Sequence, residues 1–242
     1  MKNISSRKEY VENYFTNNYG NGWVDDEIEA VGKFLAKNVT GKALDCGCGP
    51  VPQVWAICMP LATELHAIDL APESIPFIKK ELKNKKIYAK IFVDYKKIVE
   101  KTSGKLPINY ISKQIDKIKS VQNADMSKKL PFPDNCFDTV MCLYSLWVLK
   151  DESELYAAIK EISRVLKKGW KLLHINTNGQ NRNDILPEYT YRGLSQTSDI
   201  LIPYLKKTNF KNISLKELKL KWDRSSSMYK YNKISFLLAT KK

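Results

Sequence analysis

Ala43-Leu44-Asp45-Cys46-Gly47-Cys48-Gly49-Pro50 is the segment of this sequence whose residue types and spacing could do chemistry. It reads as a short buried strand running into a glycine turn and then a helix. Glycines in such a turn let the backbone approach a ligand closely, and the following helix N-terminus offers unpaired N–H groups. Twenty-four residues after Asp45, at the end of the next expected strand, stands Asp69. A carboxylate there can take both hydroxyls of a ribose, as in dinucleotide folds. A nicotinamide dinucleotide fits poorly, because Gly47 and Gly49 are followed by Pro52 where its fingerprint needs a third glycine. Of the two histidines, His66 lies inside the second strand and reads as structural; His174, near the end of the fifth, is a candidate base. Cys46 and Cys48 belong to the glycine turn, and Cys58, Cys136 and Cys142 fall on apolar segments. No four-ligand spacing results, and no metal is expected.

The elements that must position these residues follow from periodicity. Asp25 and Asp26 precede Ile28, Val31 and Leu35, an N-cap signal followed by one apolar helical face, and Gly41 ends that helix. Strand 42–46, helix 51–59, strand 64–69 and a helix from Pro72 towards Lys83 give the βαβα order of a parallel sheet. Residues 87–93 read as a strand and 110–118 as a helix with Ile111, Ile115 and Ile118 on one face. A strand at 121–125 follows. The nearly continuous apolar run 138–148 predicts a central strand buried on both faces. Leu155, Ala158, Ile159, Ile162, Val165 and Leu166 form a helical stripe with Gly169 as its expected stop, and 171–176 is the next strand. Strands at 213–222 and 233–240 close the chain. No repeat or low-complexity linker divides it, so one domain is expected over 1–242: an N-terminal helical cap (1–40), a cofactor-binding core (41–176), and a substrate lid with C-terminal antiparallel strands (177–242).

Composition bounds the class. The 242 residues are 43% hydrophobic and 27% charged, which is globular rather than disordered. The longest apolar run, 140–149, is about half the ~20 residues that a bilayer crossing needs. Residues 1–16 carry charge throughout and have no apolar core segment, so a signal peptide is not expected. Five cysteines do not make a disulfide framework, and a reducing compartment, the cytoplasm, is expected. The net charge is +14, concentrated in 79–119 and 206–242, each with a local excess of +9. Such faces attract anionic partners, although solvated lysine faces are also ordinary protein surface.

The residues from Leu44 to Asn176 resemble a class I S-adenosylmethionine-dependent methyltransferase. Leu44-Asp45-Cys46-Gly47-Cys48-Gly49 is similar to that family's first motif, whose glycine turn lies under the methionine and ribose parts of the cofactor. Asp69 matches the acidic residue on the ribose. Ala124-Asp125-Met126 matches the segment that reads the adenine. The run from Leu130 through Pro131-Phe132-Pro133-Asp134 to Asp138 matches the approach to the fourth strand. Glu161-Ile162-Ser163-Arg164-Val165-Leu166-Lys167-Lys168-Gly169 matches the helix and turn before the fifth, with Trp170 where a second glycine is common. The resemblance implies a doubly wound, seven-stranded, mostly parallel α/β sheet with an N-terminal helical cap. It implies cofactor contacts from Asp45, Gly47, Cys48, Gly49, Asp69, Leu70, Ser74, Asp125, Met126 and Leu143. A narrower similarity, through Glu9-Tyr10-Val11-Glu12-Asn13-Tyr14-Phe15, the glycine turn and the tail 226–239, is to nicotinamide and phenylethanolamine N-methyltransferases. It implies that Tyr10 closes over the methionine end, with Phe15 where a second tyrosine is usual. That family's acceptor-binding carboxylate falls near Trp147, which removes the ground for its amine substrates.

Methyl transfer needs alignment and exclusion of water, and a base only where the acceptor arrives protonated. Tyr10, His174 and Arg192 are the catalytic candidates. Tyr14, Trp23, Tyr144 and Trp147 are candidates for the walls of an acceptor pocket, with Tyr191 and Arg192 in a lid suited to an acidic acceptor. The expected activity is methylation of an oxygen or nitrogen of a small molecule or peptide, with a carboxylate as one candidate. RNA methylation is the second reading, invited by the charge. A non-catalytic S-adenosylmethionine-binding module is the third.

Overall fold

The computed structural model describes residues 25–49, 55, 61–84, 114–146, 149–179, 198–220 and 231–242. The expected helix 51–59 (Trp55 apart) and strand 87–93 lie outside them, as do Tyr10, Tyr14, Phe15, Trp23, Trp147, Tyr191 and Arg192. The described elements are α1 (Asp25–Asn38), β1 (Gly41–Cys46), β2 (Ala62–Asp69), α2 (Ser74–Asn84), β3 (Ile118–Asn123), β4 (Phe137–Leu143), α3 (Glu152–Val165), β5 (Leu166–Gly179), a 3-10 turn at Ser198–Ile200, α4 (Leu201–Lys207), β6 (Phe210–Lys219) and β7 (Tyr231–Lys241). The seven strands lie in the order β3-β2-β1-β4-β5-β7-β6. β2 runs parallel to β3 and β4 parallel to β5, while β7 is antiparallel to both β5 and β6. The expected mostly parallel sheet with a reversed strand near the C-terminus is therefore the observed one, with an N-terminal helix present.

The chain folds as two compact units. One comprises Met1–Leu44 and Cys48–Asn123, the other Asp45–Gly47 and Ala124–Lys242. In the first, Val31 and Leu35 of α1 are fully buried, as the apolar face predicts. The Asn38 amide caps the end of that helix by donating to Phe34 O at 2.8 Å, and Gly41 turns the chain into β1 with φ 65°. Leu65, Ala67 and Ile68 of β2 and Ile78 of α2 fill the same unit's interior. Ile118 belongs to β3, not to a helical face with Ile111 and Ile115. Its pairing with Leu65 draws it into the sheet.

In the second unit all seven residues of β4 are buried. The strand is shorter than its apolar run, because Tyr144 adopts a left-handed backbone (φ 56°) and ends it. α3 begins at the N-cap Asp151, whose carboxylate accepts the Glu154 N–H, a contact that contributes about 1 kcal/mol. Its stripe buries Leu155, Ala158, Ile159, Ile162 and Val165. The helix stops at Val165, four residues before Gly169. Leu166 already pairs with Phe137 of β4, so sheet pairing rather than a glycine ends the helix. Among the described residues no helix is long and apolar enough to cross a membrane.

His174 sits inside β5 with 1% exposure. Its Nδ1 lies 2.9 Å from Cys142 O. A carbonyl only accepts, so Nδ1 carries a proton in either charge state. Burial, opposed by that carbonyl bond, pushes its pKa down to about 4. The unfolded chain binds this proton near pH 6.5, so stability is intact above pH 6.5 and is lost as pH falls towards 4, by about 3 kcal/mol from this group. Denaturant midpoints across pH 4–7 should show that slope in the wild type and a flatter one in His174→Gln.

Candidate active site

In the second unit, β1 delivers Asp45 and Cys46, 1% and 0% exposed, to the turn at Gly47. Gly47 has φ +79°, and a Cβ there would lie 2.4 Å from Ser145 Cβ and 3.3 Å from Met126 Cε. No side chain fits between those atoms. Ser145 Oγ donates to Cys46 O at 2.6 Å, so the residue beyond Tyr144 fastens the exit of β4 to the end of β1. The neighbouring Tyr144 N–H donates to Ile175 O at 2.8 Å. This bond holds an aromatic residue in the left-handed region at a cost of about 1–2 kcal/mol. Leu143, 7% exposed, precedes it.

Asp125 and Met126 lie in the same unit. Asp125 Oδ1 accepts both the Ser127 N–H (2.8 Å) and the Ser127 hydroxyl (2.7 Å). The carboxylate is thereby oriented by one oxygen, and its second oxygen has no hydrogen-bond partner among the described residues. Met126, 6% exposed, packs its methyl towards Gly47.

In the first unit the turn continues through Cys48, whose N–H donates to Ile68 O at 3.1 Å. Gly49 follows with φ +66° and open space where a Cβ would stand. The Asp69 carboxylate links this turn to the start of α2: Oδ2 accepts the Gly49 N–H and Oδ1 the Ala71 N–H, both at 2.8 Å. Asn123 holds the backbone of the same corner, its amide donating to Asp69 O and Leu70 O at 2.9 Å each. Leu70 is 40% exposed, an apolar side chain beside the carboxylate. Ser74, at the first turn of α2, is fully buried, and its Oγ finds no partner among the described residues.

Each unit therefore gathers its own share of the expected residues: Gly49, Asp69, Leu70 and Ser74 with Cys48 in one, and Asp45, Gly47, Asp125, Met126, Leu143 and Tyr144 in the other. His174 belongs to the second unit but is enclosed in the sheet. His66 Nδ1 lies 2.8 Å from Ser120 Oγ, and burial lowers its pKa. Ser145 and Asn123 were not legible as site residues. Both act on backbone carbonyls, and the small size of Ser145 opposite a glycine is the one signal that could have marked it. Among the described residues no group of three or more His, Cys, Asp or Glu side chains could hold a metal ion.

Comparison with known proteins gives these clusters a context. Residues 44–173, more than half of the chain, match the family described as a methyltransferase domain. No curated protein matches the sequence. Among solved structures, a SAM-dependent methyltransferase from Methanosarcina mazei aligns at 20% identity and TM-score 0.53, over 83% of this chain and 92% of that one. The N-methyltransferase NodS from Bradyrhizobium japonicum, bound to S-adenosyl-L-homocysteine, aligns at 13% identity and TM-score 0.61, over 97% of each chain. A phosphoethanolamine N-methyltransferase 2 of Haemonchus contortus, bound to S-adenosyl-L-methionine, aligns at 15% identity and TM-score 0.60, over 96% of this chain and 56% of that one. At these identities the structural likeness is one of fold. The family match, falling on the glycine turn, Asp69 and Asp125, shows that the chain belongs to the methyltransferase-domain family and is an S-adenosylmethionine-dependent methyltransferase.

Proposed function

We propose that the protein methylates an oxygen or nitrogen of a small-molecule or peptide acceptor, with a carboxylate oxygen as the first candidate, as a single cytoplasmic methyltransferase domain over 1–242. The observation that carries the carboxylate reading is the state of His174. This histidine near the end of β5 is buried, neutral and engaged on Cys142 O, which supports a reaction that does not draw on it as a base. A carboxylate is deprotonated and nucleophilic at neutral pH, whereas an ammonium must first lose a proton. The net charge of +14 also favours an anionic acceptor.

The residues fit the cofactor. S-adenosylmethionine, when bound, supplies a methyl group on a sulfonium, which leaves as a neutral thioether. Asp69, oriented by the Gly49 and Ala71 N–H groups, would accept the ribose hydroxyls. The Asp125 oxygen without a partner among the described residues would accept the adenine amino group, with Met126 as an apolar neighbour of the ring; Leu70 and Ser74 are further residues assigned to the cofactor. Asp45, Gly47, Cys48, Gly49 and Leu143 would line the methionine end. Tyr144, half-buried, would present its ring to the acceptor. Tyr10 and Phe15 are assigned to the cover over the cofactor, and Tyr14, Trp23, Trp147, Tyr191 and Arg192 to the acceptor. The protein's own contribution is to orient both reactants and exclude water, which can supply several kcal/mol.

Three outcomes test this reading. Incubation with labelled S-adenosylmethionine and a cell extract should place alkali-labile label in the small-molecule or peptide fraction. Alkali-stable label there would replace the carboxylate by nitrogen, and label in RNA would overturn the acceptor class. Asp69→Ala should weaken S-adenosylhomocysteine binding by roughly ten- to a hundredfold in calorimetry, since bonds to a charged group are lost. Gly47→Ala should lower the melting temperature sharply, and adding Ser145→Gly should recover part of the loss, because the clash is with Ser145 Cβ.

A further inference from the structure

The segment between Met126 and β4 has no regular structure, yet it is fastened along its length. Arg164, in the last turn of α3, donates from Nη1 to Phe132 O (2.9 Å) and Asp134 Oδ1 (2.7 Å), and from Nη2 to Leu130 O (3.1 Å). Glu161 locks the guanidinium from behind, accepting Nε at 2.9 Å through Oε1 and Nη2 at 2.8 Å through Oε2. The same Oε2 accepts the Leu130 N–H at 2.9 Å. Further on, Asn135 and Cys136 N–H donate to Arg164 O and Val165 O, Lys241 Nζ donates to Asn135 Oδ1, and the Phe132 ring meets Phe137 edge-on at 5.0 Å. At the near end Asp125 is tied to Ser127 by its carboxylate and to the Lys128 N–H by its carbonyl. Only a few residues separate that tie from the first bond of the Arg164 bracket at Leu130.

An irregular surface segment ordinarily opens locally at little cost, and ligand-contacting loops are drawn from that low-stability class. Here one planar fork joins two carbonyls and a carboxylate on the segment to a rigid helix. A lysine could not reproduce that geometry, because its ammonium is a point charge without fixed donor directions. The bracket ends four residues from Met126 and five from Asp125. We infer that Arg164, braced by Glu161, is a positioning residue for the adenine end of the cofactor, acting through residues 125–136. The inference rests on the assignment of Asp125 and Met126 to the adenine.

The test compares binding of S-adenosylhomocysteine and of 5′-methylthioadenosine, which lacks the amino-acid end, to the full chain at a temperature where each variant is folded. Arg164→Lys should raise both dissociation constants by the same factor, about tenfold, because the loss lies at the adenine end. It should also broaden the Met126 methyl resonance in ¹³C-methyl-methionine protein, which a distant loss of stability would not do. Glu161→Gln should give the same pattern more weakly, and serves if Arg164→Lys does not fold. Lys167→Met, which removes an ion pair to Asp138 at 2.8 Å outside the bracket, should lower the melting temperature and leave both constants within twofold. Arg164→Lys and Glu161→Gln constants within twofold of wild type would reduce the bracket to a purely structural one and overturn the inference. Asp125→Ala with undiminished affinity would remove the adenine assignment itself, and the inference with it. Weakening by Asp125→Ala alone would leave the assignment standing while the positioning role fails.

Discussion

The exit of β4 and the end of β1 approach so closely at Gly47 that the space for one methyl group is already taken by Ser145. Much of the second unit's site follows from this contact. It requires glycine, and glycine permits the positive φ by which the turn leaves the sheet. The Ser145 hydroxyl satisfies Cys46 O, a buried carbonyl at the strand end. Tyr144, one residue earlier, is left in a backbone conformation that aromatic residues rarely adopt. Strain of this kind persists where surrounding bonds over-determine it, here the hydrogen bond to Ile175 O and the anchored Ser145.

Asp69 shows a related economy in the first unit. A carboxylate reserved for a ligand would be free to swing when the ligand is absent. Both oxygens of Asp69 instead receive a backbone N–H, and Asn123 holds the carbonyls behind it. The side chain is pre-set by the backbone itself, so less ordering would accompany the ribose binding proposed for it.

How much of this was legible in the sequence depended on the kind of signal. The glycine turn, Asp69, the buried β4 and the stripe of α3 are patterns of residue type and spacing, and each stands where the pattern indicates. Boundaries were less legible where two elements compete for one residue. Leu166 has the spacing of a helix and the pairing of a strand, and Ile118 fits the helical series of Ile111 and Ile115 but is drawn into β3. The run 138–148 stays apolar past Leu143, and nothing in its composition announces the left-handed Tyr144. Ser145, Asn123 and Arg164 were the least visible, because they act on backbone carbonyls, which every residue has and no sequence pattern distinguishes.

The order of strands in the second unit also governs how this chain can be made. β7 follows β6 in sequence but lies between β6 and β5 in the sheet. On a ribosome, β6 would emerge while the place of β7 beside β5 is still vacant and its own sheet neighbour is not yet synthesised. Its final docking must wait for residues 231–241, which pair with β5 on one side and β6 on the other. Assembly of this edge thus waits for β7, and until then β5 presents an unpaired border of the kind that invites mispairing during synthesis.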